Sequence, residues 1–109
     1  MKLTIQRNGT SVAQLSVDGG HFGYVLGHEA LTDDHYKVIL SHSASIGEVL
    51  PLVVGVNLRI HDGSLTGGLE VGTLCGDDFV LNGRAAVAKL VNKLDEAIEN
   101  LESITLEVE

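Results

Sequence analysis

His61 and Cys75 are the two side chains of this sequence best suited to covalent chemistry. An imidazole can take a thiol proton, and the resulting thiolate attacks a carbonyl carbon. The two stand fourteen positions apart, and Cys75 is followed directly by Gly76. Asp62, next to His61, is placed either to orient the ring or to open a turn. Gly67-Gly68 offers backbone N–H groups for an anion-binding nest, with a tight turn as the plainer reading. Arg84 completes the set as a ligand-recognising cation, or as the ion-pair partner of Asp77 or Asp78. The plainer readings of the first pair are a strand-end histidine hydrogen-bonded to the backbone and a small buried or half-buried cysteine.

A second constellation is the series His21, His28, His35 and His42, each seven residues from the next. On a helix such a series makes one stripe and would invite a metal ion. Gly19, Gly20, Gly23 and Gly27 interrupt the segment, and in strands an odd spacing alternates faces. Four independent polar positions are therefore expected, with neither metal nor cofactor. Cys75 is the only cysteine, which excludes an intrachain disulfide and any paired-cysteine zinc site.

The elements that position these residues read as mostly β. Leu3 and Ile5 alternate with Lys2, Thr4 and Gln6 up to Asn8-Gly9, a dipeptide that favours a two-residue hairpin turn. Ala13, Leu15 and Val17 repeat the pattern up to Asp18-Gly19, and a third strand is expected over His21 to Leu26. Further strands are expected over 36–42 and on both sides of Gly55 between Leu50 and Ile60. Pro51 lacks an N–H and belongs at a strand start or edge. Five glycines between Asp62 and Gly76 mark loop and turn.

From Arg84 the period lengthens. Val87, Leu90, Val91, Leu94, Ala97, Ile98 and Leu101 predict the buried face of an amphipathic helix over about 83–101, with Asn82 as its N-cap. Ile104, Leu106 and Val108 predict a final strand over 103–108. The expected fold is one α+β domain over 1–109, mainly β: a meander or open, barrel-like sandwich with one long C-terminal helix packed on it.

Composition bounds the function. The 109 residues suit one hydrophobic core, and 44% hydrophobic against 20% charged is globular composition. A net charge of −8 disfavours nucleic acid and anionic membrane surfaces, which attract Lys and Arg clusters. The alternation from Met1 to Arg7 contains no signal-peptide core, and no apolar run reaches the ~20 residues of a membrane span. An acidic surface leaves a basic partner open, including a host protein that the chain would inhibit.

The order Lys2-Leu3-Thr4-Ile5, Leu15-Ser16-Val17-Asp18-Gly19, Tyr36-Lys37-Val38 and Leu50-Pro51-Leu52 resembles a phage- and prophage-encoded domain family of unknown function. The family's I-H-x-G segment, its loop ending E-G-C-I-L-V-G and its helix opening L-N-S-R are matched by Ile60-His61-Asp62-Gly63, Thr66-Gly67-Gly68-Leu69-Glu70-Val71-Gly72 and Leu81-Asn82-Gly83-Arg84. That family is in turn similar to the L,D-transpeptidase (YkuD-like) catalytic domain, where a histidine and a Gly-Cys pair act on peptidoglycan stems.

The resemblance places His61 at the family histidine, Gly67 at its glycine and Gly68 at its cysteine. Losing a catalytic nucleophile costs on the order of 10⁶ in turnover. The resemblance therefore implies a non-catalytic binding or structural module, a virion component or cell-wall-contacting domain. Its partners would be other virion proteins, peptidoglycan or further copies of itself, in the virion or the host cytoplasm. The alternative is a cysteine-dependent transpeptidase or hydrolase in which Cys75 substitutes for the missing thiol and His61 is its base.

Overall fold

A computed structural model describes all 109 residues. Its strands are β1 (Lys2–Gln6), β2 (Ala13–Val17), β3 (Gly20–Leu26), β4 (His35–Ser43), β5 (Glu48–Val53), β6 (Leu58–His61), β7 (Leu69–Gly72), β8 (Leu74–Cys75), β9 (Val80–Leu81) and β10 (Ile104–Val108), with the helix α1 (Gly83–Glu99) between the last two. Eight strands close into a barrel in the order β1-β10-β4-β5-β6-β7-β3-β2, and β8 and β9 form a separate two-stranded ribbon. The mainly β character, the C-terminal helix and the final strand are as the periodicities predict. Closure is the addition: every barrel strand has two neighbours, so the barrel offers no free edge.

Alternating side chains build the interior. Leu3 and Ile5, Ala13 and Leu15, Ile104, Leu106 and Val108 are all buried, as one face of a pleated strand requires. On β3 both Phe22 and Val25 are buried, although their odd spacing would point them to opposite faces. A bulge opposite Leu15/Ser16 resolves this, since Leu15 pairs with Gly23 and Ser16 with His21. Phe22 is the extra residue.

The two Gly-containing turns differ. At Asp18-Gly19 both residues take positive φ, 48° and 84°, and Val17 pairs with Gly20, a tight two-residue hairpin. At Asn8-Gly9 the two-residue turn does not form: residues 7–12 connect β1 to β2, and only Gly9 has positive φ. The Asn8 carboxamide oxygen instead accepts from the Thr10 N–H (3.1 Å) and hydroxyl (2.6 Å), a local side-chain bond that competes with the hairpin turn.

Pro51 lies inside β5, opposite Leu40 of β4, rather than at the strand's start. The Val54 N–H bonds to Lys37 O, so alternate amides of β5 face β4 and the Pro51 nitrogen faces β6. The β5–β6 ladder stops at Leu52 and Arg59, one residue short of it. Pro51 therefore removes a donor only where pairing has already ended.

The helix lies against β4, β5, β6, β7 and β10, and Ala86, Val87, Leu90, Leu94 and Ala97 join the barrel's core. Asn82 is the N-cap residue, but it adopts a left-handed conformation and its Nδ2 donates to Thr73 Oγ1 (3.1 Å) instead of capping. At the other end two expectations fail: Ile98 is exposed and Leu101 is 95% exposed. The helix has ended by then, with Leu101 at φ 59° and the Glu102 N–H bonded back to Ala97 O. That closing pattern turns Leu101 away from the buried stripe.

Candidate functional site

β6 and β7 run parallel, pairing Ile60 with Leu69 and His61 with Glu70. Parallel neighbours ordinarily need a crossover of a dozen or more residues. Here residues 62–68 suffice, because β7 starts only one residue back from the end of β6. So tight a return needs unusual backbone, and Gly63, Gly67 and Gly68 all take positive φ, at 104°, 77° and 76°.

His61 holds this loop together. The residue is 3% exposed. Nδ1 accepts the Gly63 N–H at 2.9 Å, which puts the ring proton on Nε2, where it is donated to the Gly67 carbonyl. Both nitrogens are thus spent on the loop's own backbone. Asp62 extends the turn, its Oδ1 accepting the Ser64 N–H at 3.0 Å. The Ser64 hydroxyl beside the carboxylate, together with that N–H, holds the Asp62 pKa below the usual carboxylate range against the opposing pull of partial burial.

Gly68 lies against the ring. A Cβ built on it would stand 3.2 Å from His61 Cδ2 and 3.3 Å from Nε2, and 2.6 Å from the Arg59 carbonyl. Gly68 is therefore the residue beside the imidazole. It is also a position where any side chain meets backbone oxygen in a left-handed conformation.

Cys75 sits elsewhere. It is exposed on the β8–β9 ribbon, which corrects the buried or half-buried expectation, and it borders a cleft with Asn8, Thr10, Gln14, Tyr24 and Asp77. The ribbon is too short to bury it: β8 has two residues, and flanking Leu74 and Leu81 are half exposed as well. Arg84 is exposed at the helix start and forms no ion pair with Asp77 or Asp78. It lines a cleft with Glu48 and Asp62, because the helix begins against the Asp62 turn: a Cβ on Gly83 would stand 2.7 Å from Asp62 O.

The four histidines of the series fall on three different elements. His21 lies on β3, His28 in a 3-10 turn, and His35 and His42 at the two ends of β4. His28 is buried, its Nδ1 accepting from Arg7 Nε (3.2 Å) and its Nε2 bonded to Thr10 O (3.1 Å). No three His, Cys, Asp or Glu side chains gather within metal-ligating reach.

The His61 loop also borders a groove of about 410 Å³, walled by Ser43, Ala44 and Ser45, by Asn57 to Arg59, and by Leu65 to Gly68. Sequence reading passed over this groove, because its walls come from three separate turns that show no shared pattern. Comparison with family models, curated proteins and solved structures finds no match to this chain.

Proposed function

We propose that this domain is a non-catalytic binding or structural module on an L,D-transpeptidase-like scaffold, with the old reaction centre kept as framework. The observation that carries this reading is the state of His61, whose two ring nitrogens both bond to the turn it spans. A general base needs a nitrogen free to take the nucleophile's proton within hydrogen-bond reach. The residue beside the ring is Gly68, and the one thiol borders a cleft that shares no residue with the His61 loop. The virion or cell-wall setting, with virion proteins or peptidoglycan as partner, rests on the motif order from Lys2 to Arg84.

The test is direct. The full chain is incubated with a carbapenem and with disaccharide-tetrapeptide muropeptides, then examined by intact mass and product chromatography. No acyl adduct and no cross-linked or hydrolysed product is expected, although iodoacetamide labels the exposed Cys75. Turnover that disappears in Cys75→Ser or His61→Gln would overturn the proposal.

A further inference from the structure

The groove beside the His61 loop differs in charge from the rest of the molecule. The chain has 15 Asp and Glu against 7 Lys and Arg, yet none of the groove's residues is acidic and one, Arg59, is cationic. Arg59 has no carboxylate partner. Its Nη1 donates to Ser41 O (2.7 Å) and Leu50 O (3.4 Å) and its Nη2 to His42 O (3.1 Å) and Ser41 Oγ (3.3 Å), all uncharged acceptors. The guanidinium is thereby held by neutral groups and takes part in no ion pair. Glu48, paired with Ser43 across the β4–β5 hairpin, lines the neighbouring cleft with Asp62 and Arg84 instead.

Ser43 supplies an independent observation. It is 5% exposed, and its hydroxyl has no hydrogen-bond partner in the protein, while no fully buried side-chain polar atom of the chain lacks one. The oxygen therefore opens outward, and the groove it lines is the space available to it. An accessible hydroxyl in the wall of a groove is free to donate to what occupies it. Ser45, Thr66 and Asn57 add donors around the same space.

We infer that this groove is a binding site for a small oxyanion, a carboxylate or phosphate group, with Ser43 donating a hydrogen bond and Arg59 supplying the charge. Hydroxyl donors around one fixed cation, without a competing carboxylate, match an acceptor-only anionic group. The inference rests on the reading of the His61 loop as framework, since that loop forms one wall.

The experiment is a ¹H–¹⁵N titration of the full chain with sodium acetate, inorganic phosphate and the neutral sugar N-acetylglucosamine, at ionic strength held constant with chloride. Saturating shifts confined to Ser43, Ser45, Thr66, Gly67 and Gly68, with a Kd in the millimolar range, are expected for acetate, phosphate or both. Whichever anion binds identifies the source of the oxyanion. Ser43→Ala should weaken binding about tenfold, and Arg59→Gln should remove it. Because Arg59 also ties β4 to β6, Thr66→Val serves as a second groove variant that keeps the staple, with the same direction of effect. Equal or tighter binding of the neutral sugar, shifts scattered over the surface, or no saturation would each overturn the inference. Turnover dependent on Cys75 is a separate result and overturns the framework reading instead.

Discussion

His61 shows how one side chain can be read for chemistry and used for structure. An imidazole accepting at one edge and donating at the other bridges two backbone groups of a glycine-rich return. Each such bond contributes roughly 0.5–1.5 kcal/mol net, since both glycines are exposed and water can replace it. His61→Ala should therefore lower stability by about 1–3 kcal/mol in urea unfolding and deprotect the Gly63 amide in hydrogen exchange. Asp62 gives a pH signature at the same turn. Its folded pKa lies below the unfolded value, so its ionised form contributes stability that is complete above the usual carboxylate range and lost as pH falls through the folded value. Comparing the native chain with Asp62→Asn, the difference in urea midpoints should be constant above about pH 5, begin to shrink below about pH 4 and vanish only below the folded pKa.

Elements carry their own strains. α1 has no acidic residue in its first turn and no basic one in its last, opposite to what its dipole favours, so packing of the Ala86–Ala97 stripe and not surface charge holds it in place. Its C-terminal closure places a leucine at φ 59°, where glycine is the usual residue, and leaves that side chain 95% exposed. A non-glycine residue pays about 1–2 kcal/mol for this conformation, part of which glycine gives back in unfolded-state entropy. Leu101→Gly is expected to raise stability by a few tenths to about 1 kcal/mol, read as a higher Tm without change in the helical circular dichroism. The ribbon β8–β9, with Leu74, Phe79 and Leu81 half exposed, is the least buried strand pair of the chain.

For the whole molecule, closure depends on β10. It lies parallel to β1 and antiparallel to β4, and it buries Ile104, Leu106 and Val108. Three such side chains are worth roughly 1.5–3 kcal/mol each, together comparable to the 5–15 kcal/mol that stabilises an ordinary domain. Deleting residues 104–109 should therefore abolish the cooperative unfolding transition and the dispersed amide spectrum, rather than leave an open barrel. A dispersed spectrum from the shortened chain would show that the other seven strands hold together without it.

Much of this architecture is local and so was legible in the residues. Period-two alternation marks β1, β2 and β10, the lengthened period marks α1, and Asp18-Gly19 marks its turn, because pleat, helix pitch and positive φ constrain neighbours within a few positions. Asn82 was readable as the start of the helix but not as a residue whose amide bonds to Thr73. Leu101 continued the apolar period past the point where the helix stops. The adjacency of His61 to Gly68 comes from the tight β6–β7 return, and neither it nor the groove with Ser43 and Arg59 shows in any local period of the residues. Local residue pattern sets β1, β2, β10 and α1 and the apolar face of each, whereas β7 and β8 lie in the Asp62–Gly76 stretch whose glycines mark loop and turn, and they form strands only because β6 and β3 offer partners to β7 and β9 offers one to β8. Closure of the sheet, the parallel pairing of β1 with β10 and of β6 with β7, and the separation of the thiol from the imidazole all arise from long-range packing. The reason is physical: a strand's alternating face is satisfied by many partners, and the choice among them is made by simultaneous packing of the whole chain around one core.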